Sequence, residues 1–124
     1  MDIQIRRAYD PPGRSDGYRV LVDRVWPRGV SKHDLDLDEW RKEIAPSTRL
    51  RQWFGHEPER WKGFQERYFA ELEGKQDAVR DLVKRAREGR ITLVYGARDP
   101  DHNQAVALRA YLRARAAGRQ PRAR

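Results

Sequence analysis

The stretch Tyr18-Arg19-Val20-Leu21-Val22-Asp23-Arg24-Val25-Trp26-Pro27-Arg28-Gly29 decides the fold class. From Tyr18 to Val25 it is rich in branched side chains, and Val20, Leu21 and Val22 are apolar in succession. A half-exposed strand alternates apolar and polar residues, whereas an unbroken apolar run suits a strand covered on both faces. Trp26-Pro27-Arg28-Gly29 ends the run, because proline has no N–H for a sheet ladder and glycine permits a sharp turn.

Upstream, Ile3 to Tyr9 reads as a first strand, stopped by the turn residues Asp10-Pro11-Pro12-Gly13. Downstream, from Ser31 to Glu88, the apolar period becomes helical. Ser31 to Asp34 has the form of a capping box, and a short helix is expected near Asp38 to Ile44, ended by Pro46. Ser47 caps a helix carrying Leu50, Trp53 and Phe54, with Gly55 as its stop. Pro58 opens the next helix, whose apolar face is Trp61, Phe64, Tyr68 and Leu72, and Val79, Leu82, Val83 and Ala86 form another. Ile91 to Tyr95 is a third apolar strand, and a last helix runs from about His102 to Ala117, with Asp99 or Asp101 as its expected cap. This order predicts a small three-layer α/β sandwich with a short, mainly parallel sheet of about three strands flanked by about five helices. Residues 1–118 form one expected domain, and 119–124, with no apolar anchor, a frayed basic tail.

Composition removes several classes of chemistry. The 124 residues suffice for one core, and four Trp, five Tyr and three Phe supply its bulk. With no cysteine there is no disulfide, thiolate nucleophile, iron–sulfur cluster or cysteine zinc site. No run approaches the roughly 20 apolar residues of a membrane span, and Met1-Asp2-Ile3 opens a strand rather than a leader, so a soluble cytoplasmic protein is expected. The net charge is +8, but 22 of the 27 basic residues are arginine, and six of those follow the last acidic residue, Asp101. Much of the excess charge belongs to the final helix and tail.

The chain resembles the YeaO-like proteins of domain of unknown function 488. The residues that carry the resemblance are Tyr9-Asp10-Pro11-Pro12, the stretch Gly17 to Lys32, Ala45-Pro46-Ser47-Thr48, Trp53-Phe54-Gly55-His56 with Glu59-Arg60-Trp61, and Tyr95-Gly96-Ala97-Arg98-Asp99 with His102-Asn103. The resemblance implies a compact three-layer α/β fold and carries no established activity. Members have been labelled uroporphyrin methyltransferases or MarR-like regulators. Neither label suits these residues: Gly96 is the lone glycine in the turn after the third strand, and no hairpin follows a recognition helix.

Parallel sheets bind ligands at the carboxyl ends of their strands, which here means Asp23 to Lys32 and Gly96 to Asn103. Arg24, Arg28 and Lys32 are candidates to grip a phosphate or carboxylate, with Asp23 to hold or polarise it; the alternative is that Asp23 and Arg24 pair structurally. Trp26 either packs the turn or stacks a ring. Tyr95, Asp99, His102 and Asn103 form a second group, in which His102 is a candidate general base beside a carboxylate. His33, His56 and His102 have no ligand spacing, so no metal is predicted, and no cofactor is named. The first functional expectation is a domain that binds or acts on a small phosphate- or nucleotide-like anion. Its rivals are a nucleic-acid-binding module using the Arg face of the last helix, where Arg109 and Arg113 lie one turn apart, together with the basic tail, and an interaction domain without chemistry.

Overall fold

The computed structural model describes residues 1–124 and contains four strands and five α-helices. In chain order these are β1 (Ile3–Arg7), β2 (Tyr18–Leu21), α1 (Lys32–Leu35), β3 (Glu39–Trp40), α2 (Thr48–Phe54), α3 (Trp61–Glu73), α4 (Gln76–Glu88), β4 (Ile91–Tyr95) and α5 (Gln104–Ala116). The strands make one sheet in the order β1-β4-β2-β3, and each neighbouring pair is parallel.

Both faces of the sheet are covered, which is why its central strands are unbroken apolar runs. Val20, Val22, Ile91, Leu93 and Tyr95 enter the larger core with side chains from α2, α3, α4 and α5. Leu21 and Val94, one residue out of phase, enter a smaller core with Ala8 and Leu35, against which Trp26, Val30, Leu37 and Trp40 pack. The layers are therefore α2 to α5, the sheet, and a thin cover made of α1 and the turn after β2.

A buried ion pair fastens this thin cover. Arg19, 4% exposed, donates to the Asp16 carboxylate at 2.6 Å and to the carbonyls of Leu35 and Asp36 at 2.7 and 3.0 Å, tying the end of α1 to β2. Burial acts to raise the Asp16 pKa, but the Gly13 N–H and the Arg19 and Arg6 guanidinium groups outweigh it and hold the carboxyl below its ordinary value. Gly17 makes the entry to β2 possible. At φ +68° it lets Tyr18 N–H reach Arg90 O at 3.0 Å, and a Cβ there would lie 2.2 Å from that same oxygen.

Several boundaries differ from the sequence expectations. β1 stops at Arg7 and β2 at Leu21; Val22 N–H still bonds Val94 O at 3.0 Å, and Asp23 leaves the ladder. The helix expected near Asp38 to Ile44 is instead β3 followed by a single 3₁₀ turn at Lys42–Ile44. Asp38 N–H and Arg41 N–H donate to Arg19 and Leu21 carbonyls at 2.9 and 3.0 Å, which secures a fourth strand too short to show a period. Ser31 and Ser47 cap α1 and α2 as expected, accepting from Asp34 and Leu50 N–H. Pro58 begins a 3₁₀ turn, with α3 proper starting at Trp61. Neither Asp99 nor Asp101 caps α5: Asn103 does, its Oδ1 accepting from Ala105 and Val106 N–H at 3.0 and 3.1 Å. No helix is long and apolar enough to cross a membrane.

Candidate functional site

The carboxyl ends of β2 and β4 open into a cleft of about 310 Å³. The two expected loops meet there: Asp23, Arg24 and Trp26 come from one, Gly96, His102 and Asn103 from the other. Arg51 and His56 complete the polar wall, and Phe54 and Phe64 supply an apolar one.

Asp23 is the chemical centre of the cleft. Its carboxyl accepts Gly96 N–H at 2.8 Å on one oxygen and the Gln104 side-chain amide on the other, while its own carbonyl accepts Trp40 Nε1–H at 2.8 Å. Burial pushes this carboxyl up to about 6, against the lowering effect of the Gly96 and Gln104 hydrogen bonds and the Arg51 charge. Gly96 lies so close that an added Cβ would sit 2.9 Å from Asp23 Oδ2. The one glycine in the turn after β4 thus lies against the carboxylate.

The cations are placed unevenly. Arg24 donates to the carbonyls of Ala45 and Pro46 at 3.2 Å each, so it fixes the cleft wall and contributes charge from there. Arg28 and Lys32 are exposed and do not line the cleft, so the three-cation clamp is not assembled. Arg51, which the sequence reading passed over, takes their place. It lies one helical turn before Phe54 on α2, and that spacing to an apolar neighbour was its one legible signal.

His102 is half-buried, its Nδ1 2.8 Å from Asp99 Oδ2 and its ring edge-on to Trp61 with centroids 5.3 Å apart. Asp99 also accepts Asp101 and His102 N–H; these bonds and the imidazole hold its carboxyl below the ordinary value. Asn103, 2% exposed, spends its side-chain oxygen on the α5 cap and its amide on Asp99 O. Trp26 packs edge-on against Trp40 and donates to Val30 O at 2.6 Å while still lining the cleft. Tyr95, 4% exposed, belongs to the larger core and does not line the cleft. His56 and His102 share the cleft, whereas His33 is exposed on α1, and no group of three or more His, Cys, Asp or Glu is placed to hold a metal.

Comparisons with known proteins cover nearly the whole chain. YeaO of Escherichia coli K12, described as uncharacterised, is 48% identical over 113 residues, spanning 91% of this chain and 98% of that protein. Rv3073c of Mycobacterium tuberculosis H37Rv, also described as uncharacterised, is 37% identical over 113 residues, spanning 91% of this chain and 95% of its own length. No solved structure matches. The family model described as the inactive DUF488-N3 subclade matches residues 2–124, and with that match the chain belongs to the DUF488 family, in its YeaO-like branch.

Proposed function

We propose that the chain binds a small anionic molecule, of the phosphate or nucleotide class, in the cleft at the carboxyl edge of the sheet, and that it binds without turning it over. The observation that carries the reading is the charge of the wall. Arg24 and Arg51 are permanent cations, His56 and His102 add two imidazoles, and burial raises the one carboxyl, Asp23, to about 6. An anion entering this site favours the protonated form of Asp23, which then offers it a hydrogen bond instead of a repulsion. With Nδ1 held by Asp99, His102 keeps Nε2 for the ligand.

The description of the matching subclade as inactive weighs toward binding over catalysis. So does the chemistry of the wall, which has no serine, threonine or cysteine nucleophile. We place the activity in the cytoplasm, where phosphorylated small molecules are concentrated.

The test is calorimetric titration at pH 6 with inorganic phosphate, nucleotides and sugar phosphates. Arg51→Ala is expected to weaken binding at least tenfold, and Asp23→Asn to bind as tightly as the parent or tighter. If no anion binds, or if Asp23→Asn abolishes binding while Arg51→Ala leaves it intact, the reading is wrong.

A further inference from the structure

The residues after α5 fold back on the helical layer and line a second concave surface, separate from the cleft. Gly118, at φ +69°, turns the chain after α5, and Arg119 N–H donates back to Ala114 O at 2.8 Å. Gln65 on α3, 4% exposed, then clamps the end of the tail from both sides: its amide donates to Arg124 O at 3.0 Å and its oxygen accepts Arg124 N–H at 3.3 Å. A buried glutamine that bonds one tail residue through both of its polar atoms, its amide also reaching Trp61 O at 3.4 Å, holds the segment in a defined place. Ala123 packs against the larger core beside it.

The groove enclosed by this return is about 530 Å³ and is lined by Arg113, Arg119, Arg122 and Arg124, with two glutamines and two alanines. No carboxylate side chain and no aromatic ring lines it. None of the four guanidinium groups is in an ion pair; Arg113 makes one long bond, 3.5 Å, to Ile3 O. The neighbouring arginines differ. Arg115 is paired with Glu73, and Arg109 is half-buried and outside the groove, so of the two residues the sequence singled out only Arg113 takes part.

We propose that this groove is a binding site for the sugar–phosphate backbone of nucleic acid, independent of the cleft at the sheet edge. Four guanidinium groups outside any ion pair, each able to take a phosphate bidentately, converge with no acidic side chain among them. A space this size exceeds a single phosphate and suits consecutive ones. The absence of an aromatic platform makes the contact one of backbone charge, without base stacking or sequence preference. A bilayer is the weaker fit, because the exposed large apolar side chains, Met1, Tyr9 and Val25, all lie outside α5 and the tail, and nothing apolar is left there to insert.

The experiment is fluorescence anisotropy of the full chain with labelled single-stranded DNA, RNA and duplex DNA between 50 and 200 mM salt. Four phosphate contacts give a slope of log affinity against log salt of about −3 for a single strand. The triple variant Arg113→Ala/Arg119→Ala/Arg122→Ala is expected to lose at least tenfold in affinity and most of the slope. A control of equal charge, Arg14→Ala/Arg49→Ala/Lys62→Ala, removes exposed cations elsewhere and is expected to lose less than threefold. All substituted positions are exposed, so both variants keep the fold, which melting temperature checks. The proposal is overturned if no salt-dependent binding is found, if the two triple variants lose equally, or if a polyglutamate peptide or anionic vesicles bind as tightly as the nucleic acids.

Discussion

The carboxyl group of Asp23, just beyond β2, accepts the backbone N–H of Gly96, just beyond β4, at 2.8 Å. This one bond joins the ends of the two central strands and holds a half-buried acid at the mouth of the cleft. Because burial lifts that acid to about 6, the cleft carries a proton-dependent charge within the physiological range.

Asp23→Asn is expected to make folding less dependent on pH. Above pH 6 the parent holds a carboxylate that burial opposes, so it is destabilised there. Below about pH 4 the folded and unfolded forms are both protonated and the penalty vanishes. The parent therefore loses stability relative to the variant as pH rises from 4 to 7, by on the order of 2 kcal/mol for a carboxyl raised from its ordinary value to about 6. Urea unfolding of both proteins at pH 4 and pH 7 measures the difference, and equal differences at the two values would contradict a raised Asp23.

In the proposed anion site, Asp23 is expected to set the pH dependence of binding. Anion affinity of the parent is expected to fall as pH rises through 6, while that of Asp23→Asn, lacking the titrating carboxyl, falls less over the same range. Titration at pH 5.5, 6.5 and 7.5 reads this directly.

Gly96→Ala is expected to disturb Asp23 and little else. Its Cβ would meet Asp23 Oδ2 at 2.9 Å and push the carboxyl off the Gly96 N–H, removing a bond that lowers its pKa. The Asp23 titration midpoint, followed by carbon NMR, then moves higher still, and an unchanged midpoint would show that the contact is slack.

His56 follows Gly55 in the left-handed region, at φ 59°. Glycine accepts that conformation freely, so His56→Gly is expected to raise stability by about 1 kcal/mol. It should weaken anion binding at the same time if the imidazole faces the ligand. A stability gain with unchanged affinity would exclude His56 from the binding site.

Asn103→Ala is expected to cost about 1 kcal/mol, the usual effect of losing a helix cap, because Ala105 and Val106 N–H lose their acceptor. Asp101→Ala should change stability by less than about 0.5 kcal/mol, since its exposed side chain caps nothing. Thermal unfolding of the pair decides between the two cap assignments.

Some of this was legible in residues taken alone. The run Val20-Leu21-Val22 with Ile91 to Tyr95 announced buried parallel strands, and Ser47, Gly55 and the Phe64, Tyr68, Leu72 spacing placed the helices, because strand burial and helix period are local properties of the chain. The same reasoning located the edge of the sheet at which the cleft opens, and it named Asp23 and His102. It passed over β3, which is two residues long and is stabilised by backbone bonds to Arg19 and Leu21 across the sheet, and it mistook the α5 cap.

What only the tertiary structure decided is which charges stand free. Arg24 is spent on the Ala45 and Pro46 carbonyls, Arg28 and Lys32 point to no cleft, and Arg51 enters it from a helix about thirty residues further on. Gln65, unremarkable in sequence, captures a tail that composition alone predicts to be loose. Sequence determines where apolar side chains must go, since burial follows their period. Polar side chains are assigned by whichever partner the folded backbone brings within about 3 Å, and that is a property of the assembled chain.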